Sequence, residues 1–259
     1  MIDSDFYSHF VCYSLSQHAT NPFRDYNYLA KSDPIQHAEF VELLTVIKLD
    51  GKTDILVEVT KEVEKVNEEA HKFAFDIVFC PLKVQLADLS TMEVWSSVGS
   101  GAVLSVDLPS FSLSPMEYIT KIGQYLMTLP QQLESFTTQD NTALEKALQM
   151  GKLPFPDTQG EHEEDTVVDQ WIGSIARATM HHYVEQILMV PQLTTQGTKQ
   201  LSADIDYLCN VLDALGIPAS TSLSSVDTLL KTPIAQYEEI GDDIEARLIN
   251  AVVGMRSIE

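Results

Sequence analysis

Positive charge is what this chain has least of. Its 259 residues hold 16 Lys and Arg against 38 Asp and Glu, a formal charge of −22. The acidic excess is shared evenly: residues 161–259 carry 16 acidic and 5 basic residues, and the rest carries 22 and 11. Neutralising phosphate needs clustered Lys and Arg, so nucleic-acid binding is disfavoured, and adhesion to anionic lipid fails on the same ground. Cysteine is also scarce. Cys12, Cys80 and Cys209 form no CxxC pair, which excludes a zinc ribbon or a thioredoxin-type site, and free thiols fit a reducing compartment. No apolar run reaches 18 residues, and the opening MIDSDFYSHF lacks the basic and apolar regions of a signal peptide. The expected compartment is cytosolic.

Motifs of catalysis are missing as well. No G-x-S-x-G occurs, and Gly99-Ser100-Gly101 lacks the Lys-Ser/Thr of a phosphate loop. Glu68-x-x-His71 is half of a di-iron helix pair, with no second E-x-x-H to complete it. His181 and Glu185 lie one turn apart beside His182, but one turn supplies at most two ligands where catalytic zinc takes three. The run Glu161–Asp165 lacks the residue order of a calcium loop. A solvated helix face or loop explains each better than a metal does. No catalytic residue, metal site or cofactor is expected.

What is present is helical periodicity over a 44% hydrophobic chain. Between Asp165 and Ile217 the spacing predicts two helices. Leu201, Ile205, Leu208, Leu212 and Leu215 step by four and three, which aligns five apolar side chains on one stripe. Asp204, Asp206, Asn210 and Asp213 fall between them, Gly216 supplies a left-handed stop, and Pro218 bars continuation. The preceding helix starts at an Asp165 N-cap, places Val168, Trp171, Ile172, Ile175, Tyr183 and Ile187 inward, and stops at Val190. Joined by Pro191–Thr194, the two are expected to pack antiparallel.

Elsewhere, Asp33-Pro34 starts a helix to about Leu49. A helix from Asp54 shows Ile55, Val59, Val63, Val66, Ala70, Phe73 and Ile77 as its stripe, and Phe73–Phe79, apolar nearly all round, is expected to be wedged between neighbours. Pro81 kinks or ends it, and a shorter segment follows from Leu82 to about Leu89. Ser114-Pro115-Met116-Glu117 reads as a capping box starting a helix that Pro130 closes. A short helix covers about Asn141–Met150. Later helices run over about Leu223–Lys231, from Thr232-Pro233 to near Gly241, and from Asp242 to about Met255. The fold class is all-α, an elongated stack of antiparallel helical bundles. The partition reads as a helical segment 1–157 (1–50 poorly defined, a Gly/Ser/Pro loop at 90–112), an acidic linker 158–165, and a C-terminal bundle 166–259. Trp95 and Trp171 are the interface candidates; Trp171 is better read as core, whereas Trp95 is evenly balanced.

Several stretches resemble a known family, subunit 7 of the conserved oligomeric Golgi complex. They are His71-Lys72-Phe73-Ala74-Phe75-Asp76 with Val78-Phe79-Cys80-Pro81, Asp107–Ile119, Gly151–Pro156, Trp171–Met180, Asp204–Leu208 and Met255-Arg256-Ser257-Ile258. The resemblance covers about residues 60–259 and implies the C-terminal third of a longer subunit. It implies a non-enzymatic part of a vesicle-tethering complex on the cytosolic face of the Golgi. That complex serves retrograde transport and maintenance of glycosylation and is built from helical rods. The implied partners are subunits 5, 6 and 8, with SNAREs and Rab GTPases. The competing readings are a freestanding α-helical adaptor or scaffold and a helical metal-dependent enzyme using His71, His181 or His182.

Overall fold

The computed structural model describes residues 57–96, 113–137, 147–148, 150–156, 166–239 and 244–256. Among them are six α-helices, three short 3-10 turns and no strand: α1 Val57–Leu86, α2 Glu117–Thr137, α3 Val167–Ile187, α4 Thr195–Ala214, α5 Thr221–Lys231 and α6 Ala246–Arg256. The 3-10 turns are Leu89–Thr91, Glu93–Trp95 and Ile234–Glu239. The expected helix at 33–49 and the acidic linker 158–165 lie outside the described residues.

Contacts divide the chain into two compact units. One holds the described residues 57–73, 147–148 and 150–152; the other holds 74–96, 113–137, 153–156, 166–239 and 244–256. This grouping runs differently from a partition at the linker, because α2 packs on α3 and α4 and so joins the C-terminal helices.

In the first unit, the Asn67 side chain donates to the Ala147 carbonyl (3.2 Å) and Lys152 pairs with Glu68 at 2.5 Å. His71 is buried, with Nδ1 2.9 Å from the Asn67 carbonyl oxygen.

In the second unit, α2 and α5 each pack on both α3 and α4. The sequence-adjacent pair α3 and α4 therefore makes little direct contact, and the antiparallel hairpin expected of them is not formed. The connection runs from Leu188 to Thr194, seven residues rather than four, and each of the two helices finds its main partners in α2 and α5 instead. The 3-10 turn at Leu89 packs on α3, that at Trp95 on α4, and α6 on α5.

Local chemistry sets the helix ends. Thr166, not Asp165, caps α3: its hydroxyl accepts from Asp169 N–H, and the Asp169 carboxylate accepts from Thr166 N–H at 3.0 Å. Thr194 and Ser220 cap α4 and α5. Gly216, at φ 73°, ends α4 as expected: its N–H donates to the Asp213 carbonyl and the Ile217 N–H to that of Leu212, a Schellman closure. The segment after Thr232-Pro233 forms a 3-10 turn rather than an α-helix.

Two prolines do not end their helices. α1 continues through Pro81 and α2 through Pro130. A proline removes one backbone donor, at a cost of about 3 kcal/mol, which flanking packing can outweigh. Beyond Pro81 that packing is plain: Leu82 and Leu86 are fully buried.

The largest correction concerns α1. Val63, Val66, Ala70, Phe73 and Ile77 face solvent, and the buried stripe is His71, Phe75, Phe79, Leu82 and Leu86. This helix carries two apolar stripes, and periodicity alone does not say which one finds neighbours.

On α4, Leu201, Ile205, Leu208 and Leu212 are all fully buried. Leu208→Ala is expected to cost about 2–5 kcal/mol, measured by chemical denaturation. An unchanged midpoint would mean the stripe does not pack.

Candidate functional site

Asp204 is the polar residue that the α4 pattern misplaced: it is fully buried, not on the solvated face. Its position explains this, since 204 lies three residues after Leu201 and four before Leu208, within the apolar stripe. A carboxylate there must be met by donors. Tyr118 of α2 donates to Oδ2 at 2.8 Å; Met116 N–H and Gln200 Nε2 donate to Oδ1 at 2.9 and 3.0 Å. Tyr183 of α3 lies 2.9 Å from the Tyr118 oxygen, and because the Tyr118 proton goes to the carboxylate, Tyr183 is the donor of that pair. Burial raises the Asp204 carboxyl above its ordinary pKa, against the lowering pull of Met116, Tyr118 and Gln200. Burial also pushes both tyrosines well above theirs.

This cluster replaces the capping box expected at Ser114. Met116 is the residue whose carbonyl takes the first helical bond of α2, from Thr120 N–H. Its own N–H is held by Asp204 from α4, while the Ser114 carbonyl accepts from Gln200 at 2.9 Å. The start of α2 is thus satisfied from another helix.

Both tryptophans are packed side chains. Trp95 is 1% exposed and Trp171 7%. The Trp95 indole N–H donates to the Leu89 carbonyl, and its own carbonyl accepts from the Thr194 N–H (2.8 Å) and hydroxyl (3.2 Å). The hydroxyl of Thr194 in turn accepts from Gly197 N–H. The backbone carbonyl of Trp95 therefore ties the 3-10 turn to the start of α4, while the indole bonds back to Leu89.

Gly197 is the close approach that permits this. A Cβ there would lie 2.5 Å from the Trp95 carbonyl oxygen and 3.0 Å from its Cα. Alanine for glycine in a helix normally stabilises by about 0.5–1 kcal/mol. Gly197→Ala is expected instead to destabilise by about 1–3 kcal/mol in thermal unfolding, since backbone must move. A stabilised variant would show the turn is not seated there.

The histidines weighed as ligands are not brought together. Exposed His181 faces the Phe155 ring at 5.4 Å, and half-buried His182 meets Phe79 edge-on at 6.2 Å. Burial, then Lys83 and His181, lower the His182 pKa. Glu185 pairs with Arg247 at 2.6 Å and Glu68 with Lys152. Among the described residues, no group of three or more His, Cys, Asp and Glu side chains could hold a metal ion.

Phe155 has φ 56°, uncommon for a bulky residue, and its carbonyl is held by Arg177 Nε at 2.8 Å. The neighbouring Pro154 carbonyl accepts from the Ser174 hydroxyl, which fastens this turn to α3.

An open groove of about 740 Å³ lies against α4, α5 and the end of α6, walled by Leu193, Thr198, Ser202, Leu230, Ile234 and Arg256. Its hydroxyls are occupied: Ser202 donates to Asp227 and Thr198 to the Thr194 carbonyl. Arg256 closes the end of α5, donating to the Leu229 and Thr232 carbonyls at 2.6 and 2.8 Å. Lys231 bridges Asp206 and Asp227, each at 2.7 Å.

Comparisons with known proteins fit a chain of this kind. The family described as Golgi complex component 7 (COG7) matches residues 3–257. The chain is similar to conserved oligomeric Golgi complex subunit 7 of Homo sapiens, 46% identical over 244 residues, which are 93% of this chain and 32% of the human protein. It is 33% identical to the Drosophila melanogaster subunit 7 over 73% of this chain and 24% of that protein. To the Arabidopsis thaliana subunit 7 it is 28% identical over 77% of this chain and 23% of that protein. The chain spans about a third of the length of the mammalian relatives. No solved structure matches it.

Proposed function

The chain belongs to the Golgi complex component 7 family, and on that premise we propose that it works as the C-terminal part of a subunit of the Golgi vesicle-tethering complex. The match over residues 3–257 is the observation that carries this reading. The packing described above supports it. Among the described residues, six helices with a buried polar cluster at Asp204 held between three of them make a body suited to holding partners in place, and we assign it no catalytic step.

In this proposal the protein assembles with subunits 5, 6 and 8. It meets SNAREs and Rab GTPases more loosely and serves retrograde transport within the Golgi, so that glycosylation enzymes are retained. It works as a peripheral protein on the cytosolic face. No helix among the described residues is long and apolar enough to cross a membrane, and the strong acidity argues against direct adhesion to anionic lipid; attachment therefore runs through protein partners. The segment 1–157, the linker 158–165 and the bundle 166–259 are proposed as successive regions of the sequence, with α2 of the first region packed on the third.

The test is recovery by affinity tag from cells. The chain is expected to bring down subunits 5, 6 and 8. Recovery of none of them, while the human relative recovers them in parallel, would overturn the assignment.

A further inference from the structure

We propose that Ser114 is a phosphorylation site, modified by a kinase that takes a serine or threonine followed by proline, and that the phosphate docks on Lys199. The sequence holds two such steps, Ser114-Pro115 and Thr232-Pro233, and the structure separates them. Thr232 is half-buried; its hydroxyl donates to the Thr228 carbonyl at 2.8 Å, and its own carbonyl accepts from Arg256. Ser114 is exposed, and its hydroxyl bonds to no described residue. The capping role that its sequence suggests has passed to Met116 and Asp204. What holds Ser114 is its backbone, whose carbonyl accepts from Gln200 at 2.9 Å.

The local chemistry suits transfer. Residues 113–116 lie ahead of α2 and outside any helix, so a kinase reaches the hydroxyl without unwinding one. Proline at the next position has no backbone N–H, so an apolar kinase site that receives it leaves no donor unpaired. In the transfer, Ser114 Oγ attacks the γ-phosphorus of ATP. The Oγ–P bond forms, the bond from that phosphorus to the bridging oxygen breaks, and ADP leaves. The hydroxyl proton passes to the kinase's catalytic carboxylate.

A phosphate there has a cation to meet. Lys199 is exposed on α4, next to the Gln200 that already holds the Ser114 carbonyl, and it bonds to no described residue. Leu113 and Lys199 line the same groove. The other charged groups on this side are committed. Lys231 serves Asp206 and Asp227, and Asp204 serves its three donors. Glu117, in the first turn of α2, is the exposed acid that opposes the phosphate, and Lys121 offsets it at 2.7 Å. The phosphate also stands toward the positive end of the α2 dipole. All these groups belong to one compact unit. The inference goes beyond complex membership and does not depend on which proteins the tag recovers.

The test incubates the 259-residue chain with ATP and a purified proline-directed serine/threonine kinase, then locates the modified residue by peptide mass spectrometry. Phosphate is expected on Ser114 and absent from Ser114→Ala. That variant should unfold with wild type, since the hydroxyl it lacks has no partner, so its failure to label is not a failure to fold. The phosphorylated chain is expected to unfold about 2–4 °C above the unmodified one, a gain that shrinks as salt rises. Lys199→Ala should remove the gain while Ser114 still takes the phosphate.

Phosphate on Thr232 in place of Ser114, or none on either, would overturn the site. A gain unchanged by Lys199→Ala, or no gain at all, would overturn the docking on Lys199. None of these outcomes touches the tag-recovery test.

Discussion

Trp95→Ala is expected to lower the unfolding temperature by on the order of 10 °C, a loss of about 3–5 kcal/mol. The indole fills a site at 1% exposure, its N–H is satisfied by Leu89, and its carbonyl holds the capping residue of α4. Truncation opens a cavity and leaves the Leu89 carbonyl without its indole donor, while the backbone bonds from Thr194, 99 positions away, lose the side chain packed beside them. Thermal unfolding followed by circular dichroism measures it. The same experiment decides between the two roles that a tryptophan beside a Gly/Ser-rich stretch can have. An interface anchor would leave the melting temperature in place and weaken only partner recovery. A packed anchor moves the melting temperature whether or not a partner is present.

Asp204→Ala is expected to cost about 3 kcal/mol, because the Tyr118 hydroxyl, the Met116 N–H and the Gln200 amide lose their acceptor inside the protein. Asp204→Asn keeps one acceptor oxygen and should cost about 1 kcal/mol. The pair also yields a pH signature. Burial holds the folded-state carboxyl above its unfolded pKa, so between the two values the folded state binds more protons. The contribution of this group is therefore fully present below the unfolded value, about 3.9, and is lost as pH rises through the raised one. Wild type should gain on Asp204→Asn as pH falls from neutrality toward about 4. Measuring the difference between the two proteins cancels the other carboxylates. A gap that narrows instead would mean that the three donors outweigh burial and hold the carboxyl low.

Much of this was legible locally. The four-and-three spacing on α4, the glycine after it and the hydroxyl before it specified the helix and its end, because those signals act within five residues. The E-x-x-H and His-His motifs each lie within one helical turn, which by itself cannot gather a third ligand. Asp204 was legible too, had its step from Leu201 and Leu208 been weighed above its charge. Its donors were not, for Tyr118 and Met116 lie 86 and 88 positions away.

By itself, then, the sequence determined that the chain is helical, where most of its helices run, and which family it belongs to, for all of these rest on residues near one another or on their order along the chain. Only the tertiary structure decided which stripe of α1 turns inward, that α3 and α4 meet through α2 and α5 rather than each other, and that a carboxylate sits inside. Those outcomes depend on which surfaces meet across tens of residues, and a periodic pattern names a face without naming its neighbour.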